Sequence, residues 1–145
     1  MKRSSRLSVA LHALVHLVHK PDEAITSTVL AECLMTNPVV VRRVMGELRQ
    51  AGIVASARGH DGGWRLTRPA GTVTLQQVHA ALGESLLVRA ESDPGDPGCT
   101  IVRTVDRVMG EFLADAEALL AARLSRISLA DLAAERANHI HLSGA

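Results

Sequence analysis

The chain has 145 residues, of which 47% are apolar and 1% aromatic, and its formal net charge is +1; this length suffices for the core of one ordinary domain. Trp64 and Phe112 are the only aromatic residues, so the core must consist of Ala, Leu and Val, a composition typical of packed helices. Two cysteines far apart in sequence exclude a disulfide framework and an all-cysteine metal site within one chain, and no stretch approaches the roughly 18 apolar residues of a membrane span, so we expect a cytoplasmic protein without a membrane partner.

The basic residues are concentrated in the first half of the chain. Residues 1–68 contain ten basic and five acidic side chains, a net charge of +5, whereas residues 69–145 contain six basic and ten acidic side chains, a net charge of −4. This division predicts a phosphate-binding half joined to a half with another role.

Two amphipathic helices are predicted first. The helix that ends before Lys20-Pro21-Asp22 has its apolar residues at helical spacing; they are Leu7, Leu11, Leu14 and Val18. The second helix covers about residues 27–35 and can be capped by Thr26 or Ser27. Its expected buried face consists of Val29, Leu30, Cys33 and Leu34.

A third helix begins after a tight turn. Asn37 or Thr36 can cap it, and Pro38 fits its first turn, where the missing N–H costs nothing. It extends to about Ala51 and is followed by Gly52. Two short helices separated by such a turn form the helix-turn-helix pattern.

A β-hairpin and a fourth helix are predicted next. Ile53–Arg58 and Trp64–Thr67 are short extended runs, and the glycines between them permit the positive φ of a turn. This hairpin is the expected wing of a winged helix-turn-helix domain, with Arg58 at its tip. A helix that starts near Thr74 then extends to about Leu82.

The C-terminal part is predicted to contain a long helix. Residues 84–99 are expected to be a loop, because Pro and Gly interrupt regular structure there, and residues 100–145 hold a helix from Thr100 to about Ser125 and a last short helix from Ser128. A helix of roughly 25 residues is about 37 Å long, more than a small domain needs, so we expect its apolar stripe to form a homodimer. The predicted dimerisation residues are Ile101, Val105, Val108, Phe112 and Leu119. The fold class is thus mostly α with a small β-hairpin: a winged helix-turn-helix domain over residues 1–83 and a long dimerisation helix.

From Arg6 to about Leu132 the sequence resembles the Rrf-type winged-helix regulators. The similarity is densest in four segments, which are TNPVVVRR from Thr36, LRQAGIV from Leu48, RGHDGGWRL from Arg58 and SLADL from Ser128. The resemblance implies a sequence-specific transcriptional regulator, usually a repressor, that binds a two-fold-related operator in double-stranded DNA as a homodimer.

The first two turns of the third helix carry side chains that can read base edges in a major groove about 12 Å wide. Asn pairs with adenine, Arg with guanine and Val with the thymine methyl group, and an arginine at the wing tip fits a narrow minor groove. The predicted DNA-binding residues are Asn37, Val39, Val40, Arg42, Arg43, Arg58 and Gly59, with Lys2, Arg6, Ser27 and Thr28 as phosphate contacts. Solvated surface charge is the alternative for Arg42 and Arg43. Trp64 is predicted to be a core anchor under the wing rather than a stacking platform for bases.

No cofactor is expected. Three histidines, His12, His16 and His19, recur along one side of the first helix, but no Cys, Asp or Glu stands nearby at ligand spacing, so a solvated or interface stripe is preferred to a metal site. Cluster-binding relatives carry several cysteines in the loop before the long helix, where this chain offers Cys99 with the oxygen donors Glu91, Asp93 and Asp96. The resemblance therefore favours the clusterless branch of the family, with a metal- or iron–sulfur-responsive regulator that uses His12 and Cys99 as the alternative.

Other function classes fit less well. The sequence has no nucleophile–base pair, phosphate loop or acid pair at a recognisable spacing, so we do not expect an enzyme. A helical interaction module without DNA binding would account for the long helix, but it would leave the basic first half and the wing unexplained.

Cys33 and Cys99 are candidate redox residues. Cys99 stands at the start of the long helix, where the helix dipole favours a thiolate. The thiol-based members of the family suggest a bond from Cys33 of one subunit to Cys99 of the other, which requires Cα atoms within roughly 7 Å. The alternatives are an inert core thiol at Cys33 and oxidation of Cys99 alone.

Overall fold

The computed structural model describes residues 5–57, 62–83 and 98–142, with side chains up to Glu135, and this part of the chain is mostly helical. Its α-helices are α1 (Arg6–His19), α2 (Ser27–Leu34), α3 (Pro38–Gln50), α4 (Leu75–Leu82), α5 (Thr100–Leu124) and α6 (Leu129–Leu142). Two strands, β1 (Val54–Ser56) and β2 (Trp64–Leu66), form an antiparallel hairpin, and a single 3₁₀ turn covers Ala70–Thr72. Six residues that the sequence singled out lie outside the described residues, namely Lys2, Arg58, Gly59, Glu91, Asp93 and Asp96.

Side-chain caps define the start of α2 and α3. The Thr26 hydroxyl accepts a hydrogen bond from the Val29 backbone N–H at 3.2 Å, and the Asn37 side chain accepts one from Val39 N–H at 2.8 Å. Such caps satisfy amides that have no partner within the helix. Met35 connects the two helices in the left-handed region with φ 53°, so the tight turn expected of a helix-turn-helix is present.

One hydrophobic core joins α1, α3, α4 and the base of the hairpin. Its completely buried side chains include Leu14, Val44, Leu48 and Ile53. The start of α6 belongs to the same core, because Leu129 is fully buried and the Leu129 N–H donates to the Val73 carbonyl at 2.9 Å. The last helix therefore packs against the N-terminal helices, although its sequence position had grouped it with the dimerisation helix. It is also longer than the short helix expected from Ser128, since it extends to Leu142.

The predicted buried face of α2 is partly wrong. Leu30 and Ala31 are buried and Leu34 is half-buried, whereas Val29 and Cys33 are exposed. Val29 and Cys33 are four residues apart and lie on one side of the helix, away from the Leu30 side. The buried side of α2 is instead formed by Ser27, Leu30 and Ala31, and Val29 and Cys33 face away from the core.

Helix α5 differs from the other described helices because none of its 25 residues is buried. Partly buried Leu124, near its end, packs against the core. Within the described parts of the chain, no helix is long and apolar enough to cross a membrane.

Candidate nucleic-acid interface

Helix α3 has one buried face and one open face. Val41, Val44, Met45 and Leu48 are buried in the core. The candidate reading residues lie on the other side, where Val39 is 55% exposed and Val40, Arg42 and Arg43 are also exposed. The structure therefore brings two arginines and two valines of the first two turns together on one accessible surface.

Asn37 stands at the end of this surface as the N-cap of α3. Its side-chain oxygen accepts from Val39 N–H, which leaves the amide NH₂ to donate to another group. Beside it, Met35 is 94% exposed in the turn between α2 and α3. Sequence reasoning did not select Met35; a large apolar side chain placed in a three-residue turn was the available signal.

A cleft of about 310 Å³ separates the start of α2 from the hairpin. Thr28 and Arg42 line it from the helices, and Ser56 and Gly62 line it from the hairpin. Thr28 is exposed, so its hydroxyl is accessible in this cleft, where a phosphate contact was predicted.

Two other predicted phosphate contacts already have protein partners. Arg6 forms an ion pair with Glu47, which ties α1 to α3. Ser27 is only 9% exposed, and its hydroxyl accepts a hydrogen bond from the Trp64 indole N–H at 2.8 Å. A DNA phosphate would have to compete with these contacts. Arg6 instead joins α1 to α3, and Ser27 joins α2 to β2.

Trp64 is partly buried and packs against the core under the hairpin. This position agrees with the core anchor predicted from its isolation in the sequence. Its polar edge, however, has a specific partner that the sequence did not reveal.

The predicted dimerisation residues lie along one side of α5. Phe112 is 63% exposed, Ile101, Val105 and Leu119 are exposed as well, and Val108 is half-buried. Large apolar groups gathered on one open helical face are typical of an interaction surface.

The candidate sensing residues are distributed over two regions. Cys33 is exposed at the edge of an open cleft of about 740 Å³ that His12 and His16 also line. His12 Nδ1 lies 2.8 Å from the Ser8 carbonyl oxygen. Cys99 is half-buried at the N-cap position of α5, where its side chain makes no capping hydrogen bond. The exposure of Cys33 contradicts the inert core thiol considered above.

Within one chain, the donor set does not supply the four thiolates of a common iron–sulfur cluster. Such clusters are held mainly by cysteine thiolates, commonly four, whereas the sequence contains two cysteines. Among the described residues there is no group of three or more His, Cys, Asp and Glu side chains that could hold a metal ion.

Comparison with known proteins identifies the class of molecule. The Rrf2 family model, described as an iron-dependent transcriptional regulator, matches residues 3–135. YwnA of Bacillus subtilis (strain 168), assigned as an HTH-type transcriptional regulator, is 30% identical over 129 residues, which cover 89% of this chain and 95% of YwnA.

Solved structures show the same architecture. A crystal structure assigned to a DNA-binding protein is 28% identical, with a TM-score of 0.71 and coverage of 88% of this chain and 98% of that one. The oxidized form of Staphylococcus aureus CymR, at 22% identity, has a TM-score of 0.65 and coverage of 92% and 96%, respectively. With a helix-turn-helix, a wing and a family match over nearly its whole length, this chain belongs to the Rrf2 family of transcriptional regulators.

Proposed function

We propose that this regulator binds double-stranded DNA as a homodimer, with α3 in the major groove and the wing in the adjacent minor groove. The observation that carries the proposal is the open face of α3, on which Arg42, Arg43, Val39 and Val40 stand opposite the buried core face. Arginine can donate two hydrogen bonds to guanine, and a valine methyl can pack on thymine. Thirteen helical residues are about 20 Å long, enough to present two turns of side chains to one groove.

The charge distribution supports the same assignment. The net charge of +5 lies in residues 1–68, which contain α1, α2, α3 and the hairpin. Phosphate attraction makes DNA affinity fall with salt, and this half supplies that attraction. A regulator that acts on DNA would work in the cytoplasm, and repression is the proposed effect of operator binding.

Dimerisation accounts for the length and exposure of α5. Pairing of the stripe that contains Phe112 and Leu119 with the same stripe of a second copy would remove both from water. A two-fold dimer presents two copies of α3, so the proposed operator has two related half-sites.

The test of this function is selection of bound duplexes from a random pool, followed by affinity measurements at several salt concentrations. Arg42→Ala and Arg43→Ala are compared with Lys2→Ala. At least one arginine substitution should cost about 1–3 kcal/mol and relax the preference at one base pair per half-site, whereas Lys2→Ala should weaken all sequences evenly and flatten the salt dependence. If both arginine variants behave like Lys2→Ala, the arginines contact phosphate only, and if no duplex is enriched, the proposed function is wrong.

A thiol switch is the proposed signal. Cys33 is accessible on α2, the helix that supports α3, and Cys99 is the N-cap residue of α5. A disulfide between Cys33 of one subunit and Cys99 of the other would release two protons and pass two electrons to an oxidant such as hydrogen peroxide, which is reduced to water. The bond would thereby connect α5 of one subunit to the helix-turn-helix of the other. The exposure of Cys33 on α2 supports this disulfide over oxidation of Cys99 alone.

A further inference from the structure

We infer that Trp64 is a positioning residue for DNA recognition, because its indole N–H bond to Ser27 fixes the wing relative to the reading helix. This inference rests on the proposed function and adds residues that the base-reading set does not contain. Nε1 of Trp64 lies 2.8 Å from the Ser27 hydroxyl oxygen, 37 positions away in sequence. The hydroxyl belongs to a residue that is only 9% exposed.

Backbone contacts place Trp64 at the junction of the wing and the helices. Trp64 N–H donates to the Ile25 carbonyl at 2.9 Å, and Ile25 N–H donates to the Trp64 carbonyl at 3.2 Å. On its other side, Trp64 pairs with Ser56 of β1. β2 therefore lies between β1 and the segment that leads into α2.

The close approach at this junction is visible in the neighbouring glycine. A Cβ atom added to Gly63 would lie 2.8–2.9 Å from the backbone nitrogen, carbon and oxygen of Ile25. A Cβ atom does not fit at these distances. The absence of a side chain at Gly63 therefore permits Trp64 to reach both Ile25 and Ser27.

The position of Trp64 along the hairpin determines what the bond can control. Val54 and Leu66 pair at the base of the hairpin, where Val54 is buried in the core. The Ser56 and Trp64 pair is two positions nearer the tip. The core thus holds the base of the wing, and the bonds of Trp64 to Ile25 and Ser27 hold the outer pair of the hairpin.

The connection from Ser27 to the reading helix is short. Ser27 is the first residue of α2, whose Ala31 carbonyl accepts from Thr36 N–H in the turn before α3 at 3.0 Å. Arg42 of α3 lines the same cleft as Ser27 and Trp64. Loss of the bond should change the angle of the wing while leaving the α3 surface intact.

The experiment compares Ser27→Ala, Trp64→Phe and the double variant on the duplex selected above. Ser125→Ala, at an exposed serine directly after α5, is the serine control. Each single variant should lose about three- to tenfold in affinity, because one net hydrogen bond is removed. The double variant should lose no more affinity than the more strongly affected single variant, since both substitutions delete the same bond. Hydroxyl-radical protection of the minor groove should shrink in all three, while the base preference set by α3 stays the same.

Two results on DNA would overturn the inference. One is additive losses in the double variant, and the other is unchanged affinity with unchanged minor-groove protection. Trp64→Phe also removes part of a packed side chain, so if its unfolding temperature drops sharply, Ser27→Ala decides the outcome alone.

A measurement without DNA separates this inference from the proposed function. Hydrogen exchange of the Trp64 amide, which donates to Ile25, should become faster in Ser27→Ala and stay unchanged in Ser125→Ala. If the unaltered chain binds no duplex but this exchange accelerates, the proposed function fails while the coupling of wing and α2 stands. If exchange is the same in both variants, the coupling is refuted.

Discussion

Truncation of Phe112 tests whether α5 is the dimer interface. The side chain is 63% exposed in the single chain, and complete burial of a phenylalanine contributes about 1.5–3 kcal/mol. Burial of the exposed part would therefore contribute about 1–2 kcal/mol per copy, and a two-fold dimer contains the residue twice. Phe112→Ala should weaken the dimer by about 2–4 kcal/mol, which raises the dissociation constant roughly 30- to 700-fold.

Sedimentation equilibrium over a range of concentrations measures this change directly. Phe112→Leu keeps most of the apolar area and should retain most of the affinity, and Val29→Ala, which truncates an exposed apolar side chain on α2, should leave dimerisation unaltered. Phe112→Asp should give monomers or insoluble protein, because it places an unpaired charge in an apolar seam. A stable monomer for the unaltered chain, or an unweakened Phe112→Ala dimer, would refute the reasoning.

Two further outcomes follow from local geometry, and a third follows from the proposed thiol switch. Gly63→Ala should lower the free energy of unfolding by about 1–3 kcal/mol, because its Cβ would meet the backbone of the facing segment, whereas Gly46→Ala, with nothing within 4 Å of the new Cβ, should raise it by about 0.5–1 kcal/mol; equal effects in thermal melts would contradict this. Hydrogen bonds from the backbone and the side chain of Ser128 hold the pKa of Asp131 below its ordinary value of 3.8. Its stabilising effect is therefore complete above that value and is lost as the pH falls through the lowered pKa, so the stability difference between the unaltered chain and Asp131→Asn should shrink in that window of an acid titration. Mild peroxide should produce a covalent dimer on a non-reducing gel that disappears in both Cys33→Ser and Cys99→Ser, with DNA release in parallel; an unchanged monomer band with unchanged DNA binding would exclude the thiol switch.

The helix-turn-helix was predictable because its signals are local. Asn37 and Pro38 start α3, and Thr26 starts α2, through side-chain and backbone preferences that act within three residues. The open face of α3 was also predictable, since the helical period places Val41, Val44 and Leu48 on the side opposite the arginines. The sequence therefore located the candidate reading surface without any knowledge of the packing.

Residues whose role depends on a distant partner were not predictable in the same way. Serine is a residue type that commonly caps helices or binds phosphate, but the Ser27 hydroxyl accepts a hydrogen bond from Trp64. Arg6 likewise forms an ion pair with Glu47. Cys33 has the spacing of a core residue and is nevertheless exposed. No local rule gives these outcomes, because each depends on which element packs against α1 and α2.

The sequence by itself thus determined the order of elements, the buried stripe of α3 and the basic half, and it narrowed the caps of α2 and α3 to two candidates each. These features arise from interactions between residues within a few positions of one another. Tertiary structure alone decided that α6 returns to the core through Leu129, that α2 leaves Cys33 exposed, and that Trp64 of the wing bonds Ser27, 37 positions away. The physical reason is that burial and hydrogen-bond pairing across elements depend on the relative positions of whole helices and strands, which the period and capping preferences of each separate element do not specify.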